Sequence, residues 1–239
     1  MNLNKLKDVA INASKKAGKY LNSQKKLKKE ILSEVGRDIK LEIDQNTENL
    51  LRRELKSTNI EVLGEEFGGG LNNELQWVVD PLDGTANYFR GLDQSCISIA
   101  LLNKDEALIG VIYNFNTNEM FHAVKQQGAF LDGTPISVSE IGLKNKASLT
   151  TGFPASESVK SSLDFLDDLK GWKKIRMFGS AALSCAYVAS GRCDVYIEKG
   201  VYLWDFAAGI CLVEEAGGMA EFSLIDADRY SVKFSNGKL

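Results

Sequence analysis

Trp77-Val78-Val79-Asp80-Pro81-Leu82-Asp83-Gly84-Thr85 is the stretch on which the reading of this chain turns. Gln76 to Val79 reads as a buried strand that stops at two carboxylates three residues apart. Pro81, between them, has no N–H to satisfy and predicts a tight turn. Asp80 and Asp83 are spaced to face one metal pair, with the Leu82 carbonyl as a further hard oxygen. Gly84 lets backbone N–H groups approach an anion, and Thr85 adds a hydroxyl. Amides at a turn that enters a helix make a phosphate cradle. The plain alternative is a strand followed by an Asp-Gly turn.

The chain carries a control for that alternative. Leu131-Asp132-Gly133-Thr134 repeats the letters LDGT, but no Asp-Pro precedes it and Pro135 follows. Flanked by alternating apolar residues, it reads as a hairpin turn without chemistry. The four letters alone are weak; the whole nine-residue stretch is much stronger.

Further acids stand at comparable points: Asp44, the pair Glu65-Glu66, and Asp205. Strand ends and helix starts converge in α/β sheets, so distant acids can share one cleft. Carboxylates crowded there repel and raise one another's pKa. Hard cations such as Mg²⁺ remove that penalty and prefer oxygen ligands.

Composition narrows the choices. The 239 residues include 29 Lys+Arg, 32 Asp+Glu and a single His, for a net charge of −3, with 44% hydrophobic residues. That is enough apolar material for a core, and it excludes a disordered or fibrous chain. No apolar run approaches a membrane span, and Met1 to Asp8 does not read as a secretory signal. Residues 1–40 carry 11 Lys+Arg against 4 Asp+Glu, while the remainder is acidic. The basic start reads as a solvated helix face more than a nucleic-acid site. Cys96, Cys185, Cys193 and Cys211 form no C-x-x-C pair and have apolar neighbours, so buried reduced thiols in a cytoplasmic protein are expected. His122, alone, cannot supply a His-rich zinc site, and no G-x-S-x-G accompanies it. Any chemistry here runs on carboxylates, hydroxyls and metal.

Along the chain, apolar and small residues spaced by threes and fours predict a helix over 3–32. Its many alanines point to close packing on a sheet or helix. Ile39, Leu41 and Ile43 alternate with polar residues, which predicts a half-buried strand. A helix follows, near whose start Asp44 reads equally as an N-cap. Residues 60–63 predict a short strand, and 95–138 an antiparallel meander with strands near 96–102, 108–113, 119–124 and 128–138. From about residue 147, strands near 148–152, 174–178 and 193–198 alternate with helices near 158–169 and 180–190. A last helix near Trp204 and a short strand at 219–222 close the pattern. The fold class is α+β with an α/β C-terminal half. The boundary falls near 136–147, giving a first domain over 1–140 and a second over 141–239.

Asp80-Pro81-Leu82-Asp83-Gly84-Thr85, preceded by Gly64-Glu65-Glu66 and followed by Trp204-Asp205-Phe206-Ala207-Ala208-Gly209, resembles the inositol monophosphatase family. Glu-Ala-Gly-Gly at 215–218 matches the usual sequel, and the resemblance runs from the N-terminal helix to about residue 222. It implies a layered α/β/α/β/α sandwich of the sugar-phosphatase type and a Mg²⁺-dependent, lithium-sensitive phosphomonoesterase, cytoplasmic and homodimeric. The implied substrate is a small phosphorylated metabolite. An inositol monophosphate-like polyol or sugar phosphate is expected, with 3′-phosphoadenosine 5′-phosphate or fructose 1,6-bisphosphate as alternatives.

The same resemblance implies roles. Glu65, Asp80 and the Leu82 carbonyl would hold a first Mg²⁺, and Asp80, Asp83 and Asp205 a second. A third would lean on Glu65, with Asp44 helping through water. Gly84 and Thr85 would bind phosphate, while Thr85 and Asp44 would orient and deprotonate the attacking water. Gly179, Ser180 and Ala181, with Glu198, would contact substrate. The sequence departs from the family pattern at Leu41, where Thr is common, and lacks a lysine match near residues 33–36. A reading of another class, a regulatory binding protein using the basic N-terminal helix, is disfavoured because all five acids are present.

Overall fold

The structure, a computed structural model, describes residues 1–25, 31–35, 38–70, 74–104, 106–153 and 169–239. Helix α1 (Leu3–Gln24) starts at Asn2, whose side chain accepts the Lys5 N–H at 3.1 Å. It buries Ala10, Ala13, Ser14, Ala17, Gly18 and Leu21. These small side chains bring the helix close to the sheet below it. A Cβ on Gly18 would stand 2.6 Å from the Tyr113 ring. The predicted helix therefore packs as expected but ends earlier, at Gln24. Ile31, which continues the helical spacing, instead pairs with Leu41 in a hairpin of β1 (Ile31–Val35) and β2 (Asp38–Leu41). The strand expected to reach Ile43 also stops early. Helix α2 (Glu42–Leu55) begins there, with Glu42 and Asp44 in its first turn, where the helix dipole favours acids. Asp44 thus lies inside the helix and is not its N-cap.

The first sheet has seven strands in sequence order. They are β3 (Glu61–Gly64), β4 (Leu75–Asp83), β5 (Cys96–Asn103), β6 (Glu106–Asn114), β7 (Glu119–Val124), β8 (Ala129–Leu131) and β9 (Thr134–Ile136). Only the β3–β4 pair is parallel; the rest forms the expected meander. Its central strands are buried on both faces, and the period-two alternation divides them cleanly. Trp77, Val79, Ile97, Ile99, Leu101, Ile109 and Val111 pack with α1 and α2. Val78, Cys96, Ala100, Leu102 and Ile112 face the opposite way.

That opposite face meets helices α4 (Ala181–Ala189) and α5 (Leu203–Glu215). Beyond them lies a second sheet of β10 (Ser148–Thr151), β11 (Lys174–Arg176), β12 (Val195–Tyr202), β13 (Met219–Asp226) and β14 (Arg229–Ser235). Its order is β11-β10-β12-β14-β13, parallel among the first three and antiparallel at β14 and β13. The described layers are thus helix, sheet, helix, sheet. The helix expected near 158–169 falls almost wholly outside the described residues. No helix among them is long and apolar enough to cross a membrane.

Three local readings are refined. Strand β4 does not turn at Pro81 but runs on to Asp83. Asp80 pairs with Ser98 and Asp83 with Cys96, so Pro81 and Leu82 oppose one residue in a bulge. Proline is tolerated there because no ladder hydrogen bond is required of it. The second LDGT is the hairpin turn expected: Asp132 and Gly133 both have positive φ, 50° and 80°. Asp132 Oδ1 accepts the Met120 N–H at 3.0 Å. Strand β14 had no expected counterpart, although Tyr230, Val232 and Phe234 alternate with polar residues.

Helix α5 sits between the two sheets, and its approach depends on glycine. A Cβ on Gly110 of β6 would stand 2.2 Å from the Ala208 carbonyl oxygen, and one on Gly209 would stand 2.5 Å from Cys185 Cβ on α4. Backbone cannot swing aside as a flexible side chain can. Gly110→Ala is therefore expected to cost about 3 kcal/mol, the upper end of overpacking penalties. At roughly 2–4 °C of Tm per kcal/mol for a chain of this size, thermal denaturation resolves that readily.

Candidate active site

The parallel β3–β4 pairing sets the first two acids side by side. Gly64 is opposite Val79, so Glu65, in the turn after β3, adjoins Asp80. Asp80 is 2% exposed, and its Oδ1 accepts the Leu82 N–H at 2.9 Å across the bulge. Burial holds its pKa well above the ordinary carboxylate range, and the charges of Glu65, Asp83 and Asp205 add to that rise. Three of the expected acids are thus electrostatic neighbours of a fourth, although they come from a turn, a strand end and a helix start.

Asp83 is held from the other half of the molecule. Its Oδ2 accepts the Ser180 hydroxyl at 2.5 Å, the Ala182 N–H at 2.8 Å and the Cys96 thiol at 3.6 Å. Burial raises its pKa, and these donors act against the rise. Ser180 caps α4 as well, accepting the Leu183 N–H at 3.2 Å. Its hydroxyl is therefore engaged within the protein.

Gly84 occupies the left-handed region at φ 84° and opens the short helix α3 (Thr85–Arg90). A Cβ there would meet the Gln94 carbonyl oxygen at 2.6 Å and that of Gly179 at 3.1 Å. Gly84 and Gly179 are thus brought together. Thr85 donates its hydroxyl to the Leu82 carbonyl at 2.9 Å. Asp44 is buried, and its charge helps to raise the pKa of Tyr88, after burial itself. Asp44 and the Tyr88 phenol are thus electrostatic neighbours.

Asp205 is the third residue of α5, and its Oδ2 reaches back to the Tyr202 N–H at 2.7 Å. Glu198 on β12 accepts the Tyr196 hydroxyl at 2.9 Å and lies over Gly152, where a Cβ would meet its carboxylate at 2.5 Å. The buried Cys185 thiol, raised first by burial, also feels Asp83, Glu198 and Asp205. Glu198 therefore belongs to the same neighbourhood. Ala181, first residue of α4, directs its N–H to Asp83.

Asn87 carries a role that the sequence pattern did not expose. Its Nδ2 donates to the carbonyls of Gln94 and Phe178, each at 2.7 Å, and to that of Gly179 at 3.2 Å. It stitches α3 to the segment leading into α4. Only a side-chain amide pointing inward does this, and no local spacing announces it. His122, by contrast, is a half-buried sheet residue stacked on Phe130 at 5.3 Å, and all four cysteines are buried and free.

The donor set is oxygen throughout, which suits a hard cation and not zinc. Among the described residues, no three His, Cys, Asp or Glu side chains stand close enough to form a ready-made ligand set. A cation would draw these carboxylates inward. The repulsion on Asp80 is what such a charge would relieve, and on that ground the residues fit it.

A layered α/β fold with carboxylates converging on a bulged strand end defines a class of phosphatases. The chain belongs to the inositol monophosphatase family, which it matches over residues 2–222. It is 37% identical to "Nus factor SuhB" of Xylella fastidiosa over 95% of this chain and 85% of that protein. To the "Inositol-1-monophosphatase" of a Synechocystis strain it is 38% identical, over 87% of this chain and 77% of that one. The solved inositol monophosphatase of Anabaena superposes with a TM-score of 0.86 at 31% identity, covering 100% of this chain and 93% of that one. The protein is a phosphatase.

The electrostatics predict a signed pH effect. A carboxyl whose folded pKa lies above its unfolded value costs stability once pH exceeds the ordinary carboxylate range, and the cost grows until the folded pKa is passed. Asp80→Asn keeps an acceptor for Leu82 but cannot ionise. In metal-free buffer at neutral pH its Tm should exceed that of the parent protein. The gap should close as pH falls below about 4, where the parent's carboxyls are protonated in both states. Differential scanning fluorimetry across pH measures it, and a gap that is constant with pH would show that charge is not the cause.

Proposed function

We propose that this protein is a Mg²⁺-dependent phosphomonoesterase that hydrolyses a small phosphorylated polyol or sugar of the inositol monophosphate type. The observation that carries the proposal is the convergence of Glu65, Asp83 and Asp205 on buried Asp80. Glu65, Asp80, Asp83, Asp205 and the Leu82 carbonyl would hold the cations. Bound there, the cations would neutralise phosphoryl and leaving-group charge and make a water molecule more acidic.

The remaining work falls to the chain. Backbone N–H groups around Gly84 and Thr85 bind the phosphate, which the left-handed Gly84 lets approach closely. Thr85 donates its hydroxyl hydrogen bond to the Leu82 carbonyl, so its oxygen is left to accept a hydrogen bond from the attacking water. Asp44 takes up the proton. Glu198, held by Tyr196, accepts from substrate hydroxyls, and this selects a polyol. With the Ser180 hydroxyl committed to Asp83, the 179–181 segment meets substrate through its backbone.

Helix α1 packs on the first sheet through its small residues and turns its lysines to solvent. Lys5, Lys15, Lys16 and Lys19 lie on its solvated face, and Lys16 is paired with Glu54 at 2.6 Å.

Phosphate release measured over a panel of sugar and nucleotide phosphates tests the proposal. Activity should require Mg²⁺, fall with added Ca²⁺ and be highest on inositol-type monoesters. Full activity after exhaustive chelation would refute the metal reading. The two LDGT copies give a sharper contrast. Asp83→Asn should lower kcat more than about a hundredfold, beyond the cost of losing a residue that merely supports a ligand. Asp132→Asn, which keeps an oxygen for the Met120 N–H of β7 and lies outside the acid cluster, should stay within a few-fold. Equal losses in folded protein would show that the copies are misassigned.

A further inference from the structure

Behind the Gly64–Gly68 turn lies a charged pair that the proposed chemistry does not use. Glu48, on α2, is fully buried, and its carboxylate makes three contacts. Oε1 accepts Arg52 Nε at 2.7 Å and the Phe67 N–H at 3.4 Å, while Oε2 accepts the Glu66 N–H at 2.7 Å. Arg52 then spreads its guanidinium across the base of the turn. Nη1 donates to the Val62 carbonyl at 3.0 Å and Nη2 to the Gly68 carbonyl at 2.7 Å. The turn closes on itself through the Gly64 N–H, which donates to the Gly68 carbonyl at 3.1 Å. Gly64 has no room for a side chain, because a Cβ would stand 2.2 Å from Glu48 Oε1.

Glu65 sits in the middle of this arrangement. The residue before it rests on the Glu48 carboxylate, and the residue after it gives that carboxylate its N–H. Both legs of the turn are tied to one guanidinium. The backbone of Glu65 is thereby fixed on both sides while its side chain is left to face Asp80. Stability alone is a poor reason for the pair, since a buried ion pair is often no more stabilising than apolar residues of like size. Geometry is a better one: a planar guanidinium forks to several acceptors in a way that lysine cannot.

We propose that Glu48 and Arg52 are positioning residues that set Glu65 for the cation, coupling helix α2 to the metal affinity of the site. The proposal rests on the metal reading given above. Partners that hold a metal ligand typically change affinity about 10–100-fold when altered.

The test is calorimetric titration of the intact protein with Mg²⁺, alongside the Mg²⁺ dependence of Tm and of kcat. Glu48→Gln turns an amide N–H₂ toward a donor, either Arg52 or the Glu66 N–H. Arg52→Lys keeps the charge but loses the fork, and it covers the case in which the first variant fails to fold. Glu54→Gln, which breaks only the surface pair with Lys16, is the control on the same helix. Each clamp variant should weaken Mg²⁺ binding about 10–100-fold and shrink the Mg²⁺-induced rise in Tm, with kcat at saturating Mg²⁺ within a few-fold. An unchanged Mg²⁺ midpoint in folded clamp variants would overturn the proposal, as would an equal shift in Glu54→Gln. If the parent protein itself binds no Mg²⁺, the metal reading fails instead, and the titration of that protein separates the two failures.

Discussion

Burying Asp80 among three other carboxylates is the constraint on which the rest of this structure depends. Burial by itself makes Asp80 costly to ionise, and the charges of Glu65, Asp83 and Asp205 add to that cost. A fold tolerates such a cluster only if other contacts hold the carbon framework in place against the repulsion. The structure supplies them from every side. The Asp80 oxygen is tied across the bulge, Asp83 is held by the start of α4, Asp205 by its own helix start, and Glu65 by its turn. The strain falls on side-chain charge, where a cation can answer it, and not on the backbone.

This placement also explains why the two halves cannot be separated functionally. Asp83 belongs to the first sheet, yet its donors Ser180 and Ala182 begin α4. Ser98 of β5 donates to the Trp204 carbonyl at 3.3 Å, next to Asp205. Asn87 reaches from α3 to the segment before α4. Helix α5, wedged between the sheets by Gly110 and Gly209, carries Asp205 to the bulge in β4. A shift of either half would move Asp205 relative to the other three acids.

Much of this was legible in the sequence, because the informative signals were local. A buried strand ending in acids, an Asp-Gly hairpin and an alanine-rich helical stripe each have a short-range physical cause, and each stands where its spacing put it. The failures share a cause of the opposite kind. Ile31 keeps helical spacing with α1, but its partner is Leu41, and strand pairing at that distance leaves no trace in a 3.6-residue period. Pro81 suggested a turn because a bulge, its other permitted setting, is defined by the neighbouring strand. Ser180 read as a substrate contact, while its hydroxyl is turned to Asp83, 97 residues away in sequence. Asn87 and Glu48 were silent for the same reason: besides the nearby Gln94 carbonyl and Arg52 side chain, their partners are backbone groups remote in the chain.

Asp205 shows how far a structural and a chemical role can coincide. At the third position of α5 it satisfies the Tyr202 N–H, as a capping acid should. The same carboxylate contributes to the charge on Asp80. These are not competing accounts. The backbone bond fixes Oδ2 and with it the rotamer of the whole group, so the charge reaches the cluster in one orientation. The helix start gains a stabilised amide, and the site gains a carboxylate whose freedom is already narrowed before a cation draws it inward. Pre-orientation of this kind lowers the conformational cost of binding, and in this chain it is achieved with backbone hydrogen bonds at each acid that converges on Asp80 except Glu65. There the fixed element is the turn itself, held from behind by Glu48 and Arg52.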